Sequence, residues 1–242
     1  ELKTDDALYT RRIKTLGIPE AVLMDEYKDI IYSNNRINVA TMASYERGVE
    51  VRFTGPIYLK EEIDNVVNIL LSKIGQYVYA LDDEELKDVV YKLLVEKKKT
   101  VSFAESCTGG LISSTLVDIP GVSNIFKGSV IAYSNEAKVK ILGVEENIIN
   151  THGAVSEECV KMMAVGAKKI FGTDFAVAVS GIAGPSGGSE KKPVGTVCIA
   201  LASDHEVVAT THYLRGDRNI IRLRSTLVAL DTLRRGILKC QE

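Results

Sequence analysis

Residues 174–181, DFAVAVSG, constrain the fold more than any other stretch of this chain. Between the flanking Asp174 and Ser180-Gly181 there is no polar side chain, only alternating valine and alanine after a phenylalanine. A short apolar run of this kind, bounded by turn residues, predicts a central strand covered on both faces. Such a strand requires helices above and below, and the flanking sequence supplies them. TVSFAES (100–106) and GSVIAYS (128–134) read as further short strands. TGGLISSTLVDI (108–119) and EAKVKILG (136–143) read as helical segments, as does SEECVKMMAVGAKKIFG (156–172), with Ser156 as its expected N-cap. PVGTVCIALAS and EVVATTHYL predict a strand pair around Asp204-His205, and DRNIIRLRSTLVALDTLRRGILK a long closing helix. Strands alternating with helices predict an α/β layered domain.

The first eighty residues have a different rhythm, that of a small α+β unit. EAVLMDEYKDIIY (20–32) predicts a helix with Val22, Leu23, Tyr27, Ile30 and Ile31 inward. INVATMASYERGVEVRFTG suggests two strands around the turn Glu46-Arg47-Gly48. EEIDNVVNILLSKIGQYVY (61–79) predicts a second helix burying Ile63, Val66, Val67, Ile69, Leu70 and Ile74. A boundary is expected near residues 80–82, where LDDEELKDVVYKLLVEKKK opens a new helix with an acidic first turn and a lysine-rich end. The predicted domains are therefore 1–80 and 82–242. No internal repeat or low-complexity tract interrupts them.

Several function classes are excluded or disfavoured by composition. Apolar stretches are all broken by charge before the roughly 18 residues a membrane helix needs. The N-terminus lacks the basic-then-apolar order of a signal peptide. It also lacks a Met, as a fragment of a longer chain would, which leaves room for a further N-terminal domain. Cys107, Cys159, Cys198 and Cys240 form no CxxC pair, and His152, His205 and His212 no HExxH or HxxxH cluster. No metal site is expected, and free thiols suit a reducing cytoplasm. Residues 1–100 carry 15 Lys+Arg against 18 Asp+Glu, and residues 101–242 carry 15 against 14. Neither half has the basic excess that drives strong nucleic-acid binding.

Three loops after predicted strands carry polar residues that a connection does not need: Ser106-Cys107-Thr108-Gly109-Gly110, Tyr133-Ser134-Asn135 with Lys138, and Ser180 through Gly188. In open α/β sheets ligands bind beyond the carboxyl ends of the strands, so these loops can share one site. Ser106 is either a nucleophile beside the free N–H groups of a following helix or, like Thr108, a helix cap. Lys138 is either a desolvated base working with Tyr133 or a solvated lysine on a helix surface. Cys107 is either a thiolate at a helix N-terminus or a small buried hydrophobe. SGIAGPSGG offers backbone N–H groups on glycines but matches neither GxxxxGK[ST] nor GxGxxG. Arg215, Arg218, Arg222 and Arg224 either hold an anion or solvate the last helix.

Taken in order, AESCTGG, YSNEAK, THGAVSEE, SGIAGPSGG, PVGTVCIAL and the GDR at 216–218 resemble the successive motifs of the CinA C-terminal family, the nicotinamide-nucleotide amidohydrolases. The likeness runs over roughly residues 82–242, and residues 1–80 resemble the KH-like middle segment of full-length CinA (competence/damage-inducible) proteins. The resemblance implies an α/β deamidase fold, no cofactor, a homodimer or larger assembly, and hydrolysis of nicotinamide mononucleotide to nicotinate mononucleotide and ammonia. It places the family's catalytic serine, tyrosine and lysine on Ser106, Tyr133 and Lys138. Thr108, Gly109, Gly110, Ser180, Gly181, Gly184 and Arg218 would help bind the substrate, with N–H groups near Thr108–Gly110 stabilising the oxyanion. Two other readings stay open: a non-catalytic nucleic-acid or partner-binding module in competence or DNA damage, and an ADP-ribose pyrophosphatase acting through an N-terminal domain outside this chain. Against the first, residues 1–100 contain no GxxG, the loop with which KH modules clamp nucleic acid.

Overall fold

The computed structural model describes residues 7–45 and 47–239. Glu46 of the expected turn, and Cys240, lie outside them. The chain divides into two compact units, Glu1–Leu86 and Lys87–Glu242.

In the first unit, β1 (Leu8–Thr15), α1 (Glu20–Ile31), β2 (Asn38–Ser44), β3 (Gly48–Pro56), α2 (Lys60–Ile74) and β4 (Val78–Leu81) follow one another. The sheet order is β2-β3-β1-β4, with every pair antiparallel. Both helices are where the apolar spacing predicts. Val22 and Ile69 are corrections: they are 38% and 43% exposed, while Leu23, Ile31, Ile63, Val66, Val67, Leu70 and Ile74 are buried. On α2 the buried set follows the i, i+3, i+4, i+7, i+11 series, and Ile69, six residues past Ile63, turns about 240° away from it.

Two strands escape the sequence reading. β4 covers the last two residues of the expected second helix and the expected boundary after it, and no sequence signal marks β1. β1 carries Arg11, Arg12 and Lys14, and their partners are distant in sequence. Arg11 bridges Asp64 (2.7 Å) and Asp82 (3.1 Å), Arg12 pairs with Asp83, and Lys14 donates to the Glu84 carbonyl. Residues 82–85 are thus tied to the first unit and do not open a helix. The next helix, α3 (Leu86–Glu96), starts only after them.

The second unit continues with β5 (Val101–Glu105), α4 (Leu111–Val117), β6 (Phe126–Ile131), α5 (Asn135–Leu142), α6 (Glu146–His152), α7 (Glu157–Phe171), β7 (Phe175–Gly181), β8 (Thr196–Ala202), β9 (Val207–Tyr213) and α8 (Arg218–Lys239). The short α6 was not anticipated from the sequence. The sheet runs β6-β5-β7-β8-β9. β6, β5 and β7 are parallel, β8 runs antiparallel to β7, and β9 antiparallel to β8. β7 lies in the middle with Phe175–Ser180 all buried, as a strand covered on both faces must.

Side chains alternate across these strands. Ala104, Ala176, Ala178, Ala200 and Ala202 face α7, which adds Ala164 and Ala167 to the same cluster. Small residues on both surfaces let α7 lie close to the sheet. On the other face α8 comes so near β8 that a Cβ on Gly236 would sit 2.1 Å from Leu201 Cδ2. Ser156 caps α7 by accepting from the Cys159 N–H. Among the described residues no helix is long and apolar enough to cross a membrane.

Candidate active site

From β5 the chain passes to β6 on one side and later to β7 on the other. This reversal of winding opens a crevice at the carboxyl ends of the parallel strands. The Ser106, Tyr133 and Ser180 loops all emerge at that edge.

Strand alternation separates Glu105 from Ser106. Glu105 is fully buried and turns to the start of α4, where its carboxylate accepts from the N–H groups of Gly110 (2.9 Å), Ile112 (3.2 Å) and Ser113 (2.9 Å), and from Ser113 Oγ (2.6 Å). The cap of α4 is therefore Glu105, neither Ser106 nor Thr108. Gly109 and Gly110, at φ +61° and +95°, make the turn that brings those donors round. Glu105→Ala would leave several buried donors without an acceptor, and we expect it to lower stability by about 3 kcal/mol or more, measured by chemical denaturation.

Glu105 also narrows the expected place of an oxyanion site. The Gly110 N–H is held by the carboxylate, and the Gly109 N–H donates to the Ser106 carbonyl at 3.1 Å. In this loop the Cys107 N–H turns to its own thiol, and the Thr108 N–H has no acceptor among the described residues.

Ser106 turns to the opposite face of the sheet, where α5 carries Lys138. Ser134 caps α5 through the Ala137 N–H and sets its direction. Lys138 is 1% exposed and Ser106 7%. Lys138 Nζ lies 3.0 Å from Ser106 Oγ, 2.9 Å from the Ala132 carbonyl and 3.3 Å from the Tyr133 carbonyl. Burial pushes the lysine below its ordinary pKa, with a smaller upward pull from the Cys159 and Cys107 thiols. Lys138 Nζ donates to all three oxygens; after loss of one proton, two hydrogens still reach the carbonyls and the lone pair can accept from the serine hydroxyl.

Cys107 turns away. Burial drives its thiol up to about 11, so it is protonated at neutral pH. It packs on Gly181, where an added Cβ would come 3.1 Å from Cys107 Sγ and 2.8 Å from Val197 Cγ2. The thiolate alternative is not supported by this environment.

The remaining predicted residues fall into two groups. Tyr133 brings its backbone to Lys138, but its ring is exposed and its hydroxyl accepts from Arg218 at 3.1 Å. Arg218 also donates to the Gly184 carbonyl (2.7 Å), joining the second and third loops at the mouth of the site. Arg222, one turn further along α8, donates to the Thr108 carbonyl (2.9 Å). Arg224 donates to the Arg215 carbonyl. Ser180 serves the scaffold: it is buried and donates to the Ala154 carbonyl. Thr108 Oγ1 is buried without a hydrogen-bond partner among the described residues. Sequence offers Arg222 only as one of four arginines near the last helix, and it does not reveal the capping role of Glu105, although strand alternation through Glu105-Ser106 is an available signal for the latter. No group of three His, Cys, Asp or Glu side chains suited to a metal occurs among the described residues.

Fold and site together define a layered α/β protein with a buried serine–lysine pair at its switch point. The chain belongs to the CinA family: the CinA C-terminal domain model matches residues 83–237, and the damage-inducible protein CinA KH domain model matches residues 10–80. A CinA-like protein of Fervidobacterium nodosum is 74% identical over 241 residues, covering 100% of this chain and 59% of that protein. A CinA-like protein of Thermotoga maritima is 50% identical over 234 residues, covering 97% and 57%. This chain thus spans a little under three fifths of the length of both relatives. Among solved structures, the competence damage-inducible protein A of Klebsiella pneumoniae superposes with a TM-score of 0.63 at 32% identity, covering 64% of this chain and 97% of its own. The competence/damage inducible protein CihA of Agrobacterium tumefaciens gives 0.59 at 40% identity, covering 61% and 91%.

Proposed function

We propose that the second unit is an amidohydrolase that converts nicotinamide mononucleotide to nicotinate mononucleotide and ammonia. The observation that carries the reaction type is the buried Lys138 amine 3.0 Å from Ser106 Oγ. The substrate class follows from the family likeness.

Ser106 Oγ attacks the carboxamide carbon while its proton passes to Lys138 Nζ. The carbonyl oxygen becomes an oxyanion, for which the free Thr108 N–H is the available donor, such a donor being worth about 3 kcal/mol. The C–N bond then breaks, and the nitrogen leaves as ammonia with the proton that Lys138 took up. Water adds to the acyl-enzyme, giving one proton to Lys138. The acid is released and Ser106 regains its hydrogen. Tyr133, anchored beside Lys138 by its backbone, joins this proton relay once its hydroxyl swings inward. The route consumes only water.

The test is ammonia release from nicotinamide mononucleotide by the folded protein, with and without EDTA. Release unaffected by EDTA is expected, and no release would end this reading. Residues 82–242 hold every catalytic group named here, so a fragment beginning at Asp82 is expected to fold and keep most of the activity, while residues 1–80 have none. An inactive but folded fragment would move the activity elsewhere.

Nucleic-acid binding by the first unit is the weaker reading. Arg11, Arg12, Arg36 and Arg47 are each paired with acids, namely Asp64 and Asp82, Asp83, Glu62 and Glu85. Charges compensated in this way offer little to a phosphate backbone.

A further inference from the structure

Arg218 and Arg222 both reach the site loops from one face of α8, since residues four apart on a helix are neighbours. Among the described residues neither has a carboxylate partner. Arg218 donates to the Gly184 carbonyl and the Tyr133 hydroxyl, and Arg222 to the Thr108 carbonyl. The acids nearest along the helix are committed elsewhere: Asp217 accepts from the Ile220 N–H, and Asp231 holds Arg234 and Arg235. Two guanidinium groups at the mouth of the site are therefore satisfied by neutral acceptors alone. Charge-assisted bonds to a phosphate are about twice as strong as neutral ones, and a guanidinium fork matches phosphate geometry.

Tyr133 connects this pair to the chemistry. Its carbonyl accepts from Lys138, which fixes the backbone beside the Ser106–Lys138 pair, while its side chain is 62% exposed. The hydroxyl is held outward by Arg218. We propose that Arg218 and Arg222 bind a phosphate monoester, and that the phosphate takes Arg218 from the Tyr133 hydroxyl and so frees Tyr133 to swing to the Ser106–Lys138 pair. This rests on the amidohydrolase reading and adds the group that the site senses and the means by which sensing raises turnover. Losing one such hydrogen bond shifts the balance of Tyr133 conformers by about tenfold.

The experiment compares nicotinamide mononucleotide with nicotinamide riboside, which lacks the phosphate, on the wild type, Arg218→Met and Arg218→Lys. The wild type is expected to prefer the nucleotide by about 100-fold or more in kcat/KM, and Arg218→Met by less than about tenfold, with Arg218→Lys in between. Arg218→Met is also expected to hydrolyse the riboside about tenfold faster than wild type, because Tyr133 is no longer held outward. That gain disappears in Arg218→Met/Tyr133→Phe. Free inorganic phosphate accelerates riboside hydrolysis by the wild type but not by Arg218→Met, which separates phosphate sensing from attachment to the substrate. An unchanged nucleotide preference in Arg218→Met overturns the subsite, and an equal loss on both substrates overturns the release of Tyr133. If the wild type hydrolyses neither compound, the amidohydrolase reading fails on its own, and calorimetric binding of ribose 5-phosphate decides the subsite. At least about tenfold weaker binding to Arg218→Met supports it, and unchanged affinity overturns it.

Discussion

Replacing Ser106 by Ala is expected to lower the turnover of nicotinamide mononucleotide by about ten-thousand-fold or more, because a covalent route cannot proceed without its nucleophile. The fold should survive. Ser106 Oγ makes its hydrogen bond to Lys138, and the backbone bond from the Ser106 N–H to the Val179 carbonyl does not depend on the side chain. Circular dichroism and a thermal melt check this alongside the ammonia assay. Cys107→Ala provides the contrast. Its thiol is buried, protonated and packed on Gly181, so removing it opens a small void near the site. The expected outcome is a stability loss of about 1 kcal/mol and a kcat within a few-fold of wild type. If the alanine at 107 is the inactive one, the nucleophile is the neighbouring thiol.

The second large effect is at Lys138. Lys138→Met removes the base while keeping an apolar stem of similar length, and a loss of about a thousandfold in kcat is expected. Tyr133→Phe should also lose heavily on the nucleotide, and the double variant should be little worse than Lys138→Met, because members of one proton relay are not additive. Multiplicative losses would assign the two residues separate roles.

The pH dependence carries a definite sign. The proposed mechanism requires a neutral Lys138, so kcat/KM is expected to rise with pH through the lysine's lowered pKa, and the residual rate of Lys138→Met to lack that step. Stability moves in the same direction. Between the lowered folded value and the ordinary 10.5, the unfolded chain binds the proton that the folded chain has released, so stability rises with pH across that window. Below the folded value both states are protonated, and the cost of the buried charge is constant. The Cys107 and Cys159 thiols are raised by burial and act oppositely above their ordinary 9.0, so the contribution of Lys138 is read as the difference between wild type and Lys138→Met, in which both thiols remain. Wild type should gain stability with rising pH relative to Lys138→Met between the lowered folded value and 10.5.

Much of the layered unit was legible in the sequence because its signals are local. The β7 run, the hairpin of β8 and β9, the Ser156 cap and the period of α7 and α8 each depend on residues within a few positions of one another. The order of polar loops after strands, joined to the co-ordered family motifs, was enough to single out Ser106, Tyr133 and Lys138. Strand alternation even contained the division of labour between Glu105 and Ser106, although only the geometry of α4 shows that the carboxylate is its cap.

Tertiary structure alone decided the features that depend on distant partners. β1 looks too charged to be a strand in the first unit until Arg11 meets Asp64 and Asp82, more than fifty residues away. Those contacts also explain why residues 82–85 complete the first unit and α3 begins at Leu86. Lys138 lies on a short helix with Lys140 one side and Glu136 the other, and nothing in EAKVKILG distinguishes it from a solvated lysine. It is a candidate base because packing puts it against Cys159 of α7 and two carbonyls of the β6 loop, removing water and any acidic partner. Periodicity reports which face of an element is apolar. The pKa of a lysine depends on what that face is packed against, and the chain supplies that only when segments far apart in sequence come together.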